Sequence, residues 1–543
     1  MGITLALRVY LTNSARTDCA EGENPMATRV VLDGMIRRAD FAQQAEASTI
    51  DLGDKIMISQ LAAKSPMLRL MRKPDFQRET NHWTPDQVAS FISSFARGEL
   101  IPSLILWKSD SYVFVIDGGH RLSALRAWIE NDYGDGSISH TFFGGELPEP
   151  QKKTARQARA LVERKVGRYE DFLKLSEEEQ GADTEKAKLA STIFTRAVNV
   201  QWIQGSQEVA EVSFFKINTQ GTPLDPVEEV LLRNRRKSYA IGARSIIRAG
   251  TGHKYWSQFA GDTQSEIETI SSNLFELLFQ PHLEQPIKTL DLPLGGTVSP
   301  VDALKMLLDM FALIDGKSEP EKAAAQLLED QDGTQTVAVL KATKKVSQRM
   351  TGTSPGSLGL HPAVYFYNEK GKHSRFLFFG VVKVFADAVR NNDPTFFHRF
   401  TKARSQIETV LVTRKSVINQ GLANINSRQR IDRVASLIRG LMGKFIAGEE
   451  VNDSVVLEFL GLTGRVGELQ IIDAPQGFSD DTKSAVYLRE SLKASLKCPI
   501  CEGYLDPSKA VHYDHKTPVR EGGTGAEGNL QLAHPFCNTG VKS

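Results

Sequence analysis

Two short pairs near the end of the chain carry the residue types of a metal site. Cys498-Pro-Ile-Cys501 and His534-Pro-Phe-Cys537 repeat one two-residue spacing, and three thiolates with one imidazole suit tetrahedral Zn²⁺. All four positions are then filled by protein, so such a site holds structure and performs no catalysis. It would staple a segment too short to fold on a core of its own. A zinc ribbon that only binds a partner needs nothing more. Between the pairs, however, Val511-His-Tyr-Asp-His515 reads as a short strand ending in adjacent Asp514 and His515. Pro518, Gly522-Gly523 and Asn529-Leu530 follow, and Asn538 comes directly after the last cysteine.

The joint pattern over residues 490–543 resembles the HNH nuclease family, a zinc-stapled ββα-metal fold. The resemblance implies phosphodiester hydrolysis, which needs an activated water and a cation to neutralise the phosphate and the leaving 3′ oxygen. It makes His515 the general base, since a neutral imidazole takes a proton near pH 7. It makes Asp514 and Asn538 the oxygen ligands of a catalytic Mg²⁺ or Mn²⁺, and Asn529 the brace that holds the loop and orients the histidine. His512 fits a strand or phosphate contact better than catalysis. Neighbours in a regular strand face opposite ways, so Asp514 and His515 share a site only at a strand end or bulge. The family's Asn-x-x-Lys ending is here Asn538-Thr-Gly-Val-Lys542, one residue longer, which leaves the place of Lys542 at a phosphate open. One such site cuts one strand, so nicking is expected.

Three further motifs lie in the first half. Phe76-Gln77-Arg78 precedes Trp83; Ile116-Asp117-Gly118-Gly119-His120-Arg121 joins a strand to a helix; Phe215-Lys-Ile-Asn218 runs into Gly221-Thr-Pro-Leu224 and Glu228. Taken singly, glycines between a strand and a helix are more often a tight turn than a phosphate site. In this order the motifs resemble the DGQQR/DGQHR-type domains of the ParB/sulfiredoxin-like superfamily, above all the GmrS-type domains that begin many modification-dependent restriction enzymes. The resemblance spans about residues 56–240 and implies a domain that binds, and often hydrolyses, a nucleoside triphosphate. Gly118 and Gly119 would let backbone N–H groups approach an anion at the positive end of the following helix. Arg121 would clamp phosphate oxygens, with Gln77, Arg78 and Asn218 converging on them. Asp117 would hold a metal or orient Arg121. Gly119-His120 stand where Gln-Gln or Gln-His is common, a departure that bears on hydrolysis. Sulfiredoxins carry Gly-Cys-His-Arg here; with Gly119 at the cysteine position, sulfinic-acid reduction is excluded.

The elements that must position these residues are written around them. Tyr112–Ile116 is a β-branched and aromatic run, broken at Asp117-Gly118-Gly119, after which His120–Ile129 resumes at helical spacing. Thr84-Pro85-Asp86 opens a helix with Val88, Phe91, Ile92 and Phe95 on one face and Gly98 as its stop. Residues 151–190 are highly charged and nearly free of Gly and Pro, which predicts an exposed helical excursion. Further on, Ser299-Pro300 opens a helix apolar nearly all round and ended by Gly316, so it is expected to be buried. Ile431–Ile446 should turn Val434, Leu437, Ile438, Leu441 and Phe445 inward.

Composition bounds the rest. With 543 residues the chain has room for about three to four domains. Hydrophobic residues at 41% and charged residues at 24% exclude a disordered, collagen-like or disulfide-scaffold protein. Lys and Arg (66) balance Asp and Glu (65) to a formal charge of +1, so any nucleic-acid surface must be local. Candidates are the basic stretches Arg233–Arg248 and Arg428–Lys444, which read equally well as solvated helix faces. No apolar run approaches a bilayer span and no signal peptide is evident. Few cysteines, three of them clustered, fit a reducing compartment, and the expected location is cytoplasmic without a membrane partner.

The sequence therefore predicts an α+β multidomain protein. Residues 1–55 form an unassigned extension in which Met26 is a second candidate start. Residues 56–245 form a ParB-like NTP-binding sensor, 246–480 a helical domain with a turn-rich linker from Ala474, and 485–543 an HNH nuclease. The expected partners are DNA and a nucleoside triphosphate, with self-association left open. The rival readings are a non-catalytic ParB-like regulatory protein with a structural zinc finger, and an NTPase switch acting on a protein partner.

Overall fold

The computed structural model describes residues 29–39, 53–74, 83–109, 111–144, 147–177, 185–206, 209–210, 213–214, 217, 226–250, 254–296, 300–462 and 478–542. Six strands build the first sheet: β1 (Arg38–Ala39), β2 (Lys55–Met57), β3 (Met71–Pro74), β4 (Leu104–Lys108), β5 (Val113–Asp117) and β6 (Ala197–Ile203). Their order is β1-β3-β5-β4-β6-β2. β3 is parallel to both β1 and β5, and β6 is parallel to β4, whereas the β4–β5 and β2–β6 pairs are antiparallel. Val113–Ile116 is buried throughout, as an unbroken β-branched and aromatic run requires at the centre of a covered sheet.

The helix Pro85–Ala96 starts where its cap predicts. The Thr84 hydroxyl accepts from Gln87 N (3.3 Å) while Thr84 N donates to the Gln87 amide oxygen (2.8 Å), a reciprocal capping box. Val88, Ile92 and Phe95 are fully buried. Glu149–Lys165 packs along this helix. Sequence alone makes residues 151–190 an exposed excursion; instead Thr154, Ala155, Ala158 and Val162 form a narrow buried stripe. Small side chains let the two helices approach closely, and the charged residues around them hide the stripe from a hydropathy reading. Val30, Leu32, Met35 and Ile36 also lie in this core, so part of the unassigned extension belongs to the first domain.

From Ser238 onward helices dominate. Ser238–Ile247, Gly261–Phe279, Pro300–Ile314, Thr334–Met350, Arg375–Arg390, Pro394–Thr413 and Ser427–Ile446 surround one apolar core. Leu307, Leu308, Met310 and Phe311 are buried, as are Val434, Leu437, Ile438 and Leu441, with Phe445 packed against them from the rim. The same core runs on through Leu488 and Leu492 of the helix Asp480–Lys493 to Phe536. The last segment is a hairpin of β7 (His512–His515) and β8 (Leu530–Ala533) followed by a π-helix, Cys537–Val541. Its own buried cluster is only Cys498, Leu505, Ala533 and Cys537, too small to hold a fold unaided. Among the described residues no helix is long and apolar enough to cross a membrane.

Candidate metal and nuclease site

The C-terminal pairs converge. The ligand atoms of Cys498, Cys501, His534 and Cys537 all lie within 4.8 Å of one another. His534 turns Nδ1 toward the thiols, 3.3 Å from Cys501 Sγ and 3.8 Å from Cys537 Sγ, and Nε2 donates to Tyr504 O at 2.9 Å. That second hydrogen bond fixes the ring and its tautomer, the usual support of a metal-bound imidazole. Hydrogen bonds from Cys501 and Cys537 hold the Cys498 thiol far below its ordinary range, while the bond to Cys498 pushes Cys501 up to about 11. The Cys537 thiol is pushed up as well, by its bonds to Cys498 and Cys501, so the cluster by itself gives up one proton. A cation is what would let all three sulfurs ionise together, and the Cys₃His donor set fits Zn²⁺.

The hairpin carries the rest. Asp514 pairs with Gln531 and His515 with Leu530 across the two strands. Along β7 the pleat alternates: Asp514 is 6% exposed, Tyr513 is 74% exposed, and His515 is half-buried at the last residue of the strand. The strand end is the place where an adjacent Asp-His pair can serve one site. Beyond it the chain loops out and returns, and Asn529 closes the loop. Its Oδ1 accepts from Thr517 N (2.8 Å), and its Nδ2 donates to Thr517 O (3.1 Å) and Thr524 O (2.8 Å). The loop needs its glycines: Gly522 has φ +88°, and a Cβ on Gly523 would sit 1.8 Å from Thr517 O.

Lys542 reaches this strand end. Its ammonium lies 2.9 Å from Asp514 Oδ2 and donates to His515 O, while Gln531 Nε2 donates to the same Asp514 oxygen at 2.7 Å. The residue inserted between Asn538 and Lys542 is absorbed by the π-helix, in which Lys542 N bonds Cys537 O (3.1 Å), five residues back. A wider turn of this kind takes an extra residue without ending the helix. Asn538 is the second residue of that turn and is half-buried. The buried Asp514 carboxylate is thus paired with an ammonium, and its oxygens are the donor type that a hard divalent ion takes.

Sequence reading missed the wall behind this module. Glu408 Oε2 accepts from Tyr504 N (2.6 Å) and Oε1 from Arg404 Nε (2.7 Å) and the Tyr365 hydroxyl (3.0 Å). Arg404 continues to Leu358 O, Gly359 O (3.0 Å) and Tyr504 O (3.4 Å). Tyr504 O is also the acceptor of His534, so the Cys₃His cluster is wired to a fully buried ion pair on the helix Pro394–Thr413. Backbone carbonyls of one segment complete the seat: His512 Nε2 bonds Thr353 O (2.7 Å), Thr539 Oγ1 bonds Pro355 O (2.7 Å) and Phe536 N bonds Ser357 O (2.9 Å). No local motif signals contacts that join residues some hundred positions apart.

At the first domain, β5 ends in Asp117 and Gly118 turns the chain at φ +98° into the helix Gly119–Glu130. A Cβ on Gly118 would lie 2.4 Å from Leu104 Cδ2, so the position requires glycine twice over. The first helical bond runs from Leu122 N to Gly118 O (3.0 Å), and the amides ahead of it face the helix end. Arg121 pairs with Asp117 and donates to Pro102 O (2.8 Å) and Ser103 O (3.0 Å), tying the start of β4 to the end of β5. Trp83 stacks on His120 at 5.6 Å, which joins two of the three motifs. Gln77, Arg78 and Asn218 lie outside the described residues, as does the linker from Ala474. A cavity of about 620 Å³, lined by Trp128, Asn131, Tyr133 and Tyr169, opens at the other end of the same helix.

Of the basic residues in the two stretches, Arg244 and Arg248 are buried, whereas Arg233, Arg439 and Lys444 form ion pairs at the surface. Arg233 pairs with Glu229, Arg244 and Arg248 stack on Tyr255, Arg439 pairs with Asp387 and Lys444 with Glu449.

Two family models match the chain. Residues 58–236 match the GmrSD restriction endonuclease N-terminal domain, and residues 498–543 match the HNH endonuclease. The chain joins a GmrSD-type N-terminal domain to an HNH domain. Neither a curated protein nor a solved structure matches it. The HNH domain supports a nuclease of the hydrolase class with DNA as its substrate, and the pairing with a GmrSD-type domain supports a role in restriction.

Proposed function

We propose that the protein is a metal-dependent DNA endonuclease that nicks one strand per HNH site. In this reading a nucleoside triphosphate bound by the GmrSD-type domain controls cutting, in restriction of foreign or modified DNA. The observation that carries the reading is the gathering of Asp514, His515 and Lys542 at one strand end beside a loop closed by Asn529.

His515 takes the proton of the attacking water, and a base positioned in this way contributes about 10²–10⁴-fold in rate. Asn529 keeps the loop from drifting and so holds the direction of the histidine. Asp514 and Asn538 supply oxygen to Mg²⁺ or Mn²⁺, which when bound neutralises charge on the phosphate and the leaving oxygen. Cys498, Cys501, His534 and Cys537 hold structural Zn²⁺. In the first domain the amides after Gly118 receive phosphate, with Gly119, His120 and Arg121 at the helix end, Asp117 orienting Arg121, and Gln77, Arg78 and Asn218 completing the nucleotide site.

Relaxation of supercoiled plasmid tests this, with Mg²⁺ or Mn²⁺ present and each NTP added in turn. Plain DNA and DNA carrying modified bases are run side by side. His515→Ala is expected to slow nicking by about 100-fold or more, with zinc content unchanged. Equal cutting by the variant would remove His515 from the chemistry, and cutting indifferent to every NTP would remove the nucleotide control.

A further inference from the structure

Asp514 is a carboxylate with almost no access to water, and its Oδ2 atom already receives two donors, Gln531 Nε2 at 2.7 Å and the Lys542 ammonium at 2.9 Å. A buried carboxylate demands such a cation, because an unpaired charge in low dielectric is costly. The lysine side chain is 22% exposed against 8% for that of Asp514, so it enters from the solvent edge and can leave by the same way. The ammonium also donates to His515 O. It therefore binds both the acidic ligand of the nuclease site and the backbone of its base.

We infer that Lys542 is a resident counter-ion of Asp514 whose displacement couples metal entry to the arrival of a DNA phosphate. The inference rests on the nuclease reading above. A divalent cation brought to the same small, buried carboxylate would sit within a few ångströms of the ammonium and repel it, so metal and lysine compete for Asp514. Lysine suits the exchange, being a compact charge on a flexible four-carbon stem. Once released it needs another anion, and a phosphodiester entering the site supplies one. DNA then removes the competitor of the metal, and by linkage the metal strengthens the hold on DNA. The π-helix is what allows this arrangement: it takes up the extra residue after Asn538 and still delivers Lys542 to the hairpin.

The test measures Mn²⁺ binding to the full-length, zinc-loaded chain by the electron paramagnetic resonance of free Mn²⁺. Every arm carries His515→Ala so that DNA stays whole, and the signal that disappears in Asp514→Asn defines the site. A short DNA duplex is expected to tighten this Mn²⁺ binding about ten-fold in the Lys542 chain. Lys542→Met is expected to bind Mn²⁺ about ten-fold more tightly without DNA and to gain nothing more from the duplex. Lys542→Arg should keep the coupling. Zinc content and thermal melting establish that each variant is folded; if Lys542→Met is not, the coupling in the Lys542 and Lys542→Arg chains decides. Equal affinities in the Lys and Met chains, or no tightening by DNA in the Lys542 chain, would overturn the inference. If the chain with His515 intact still nicks plasmid, only this inference falls. If nicking and Asp514-dependent Mn²⁺ binding are both absent, the nuclease reading falls with it.

Discussion

At residues 117–121 the functional backbone is positioned by what lies beneath it, a six-stranded sheet with its own helices and its own apolar core. At residues 498–542 there is much less beneath: one short hairpin, a small cluster of Cys498, Leu505, Ala533 and Cys537, and Phe536 lodged in the helical core next door. The first region is held by area and the second by links. A Cys₃His centre clips the module from inside, and Arg404, Glu408 and the carbonyls of Thr353, Pro355 and Ser357 clip it from outside. Burial spreads its energy over many contacts, whereas the loss of one link leaves a buried partner uncompensated. The two ends should therefore answer differently to the same kind of damage.

The strongest blow to this contrast is Arg404→Met. It leaves Glu408 buried without its partner, a loss of about 3–5 kcal/mol, and removes the neighbour of the carbonyl that orients His534. Calorimetry should show the C-terminal transition lowered and the GmrSD-type domain unmoved, and zinc should pass to a chelator faster. Unchanged zinc release would mean that the wall only fills space.

Gly118→Ala strikes the other end. The left-handed backbone and the approach of Leu104 should cost about 1–3 kcal/mol in the first domain, with zinc retention and the C-terminal melting untouched. A fall in both transitions would show that the two ends are one cooperative unit.

The smallest effect is a matter of pH. His361 sits behind the module at 1% exposure, and neither ring nitrogen has a partner among the described residues. Burial drives its pKa down to about 3, with the Lys415 and Arg404 charges adding to the shift. The unfolded histidine titrates near 6.5, so its stabilising share is complete above that pH and drains away as pH falls toward 3. Between neutrality and about pH 5.5 the loss should be about 1 kcal/mol. His361→Gln should flatten the pH dependence of the C-terminal melting; an identical slope in the variant would assign it to other groups.

What the sequence made legible was whatever acts over a few residues. The cap at Thr84, the break at Asp117-Gly118-Gly119 and the paired metal-ligand spacings each carry their physics within one turn or strand. Three things were hidden, each for its own reason. The stripe of Ala155, Ala158 and Val162 is apolar too weakly to stand out among lysines and arginines. Glu408 and Tyr504 are neighbours only after folding. Lys542 looked out of step because its spacing presumes an α-helical turn, and the chain makes a π turn instead. Of the residues proposed for a nucleotide, Asp117 meets Arg121 and His120 meets Trp83; Gln77, Arg78 and Asn218 lie outside the described residues and remain expectations of the sequence.

The shared hydrogen bonds at Tyr504 bear on how such a chain is inherited and rearranged. A crossover in the gene just upstream of the last helix would transfer every residue of the cutting module and none of the surface that seats it. A graft of this kind would keep its motif and its metal ligands, yet lose the partner of the Tyr504 backbone. Recombinants that keep the seat should carry the helical body together with the finger and break the chain ahead of Pro226, since Val227 and Leu231 already belong to the helical core.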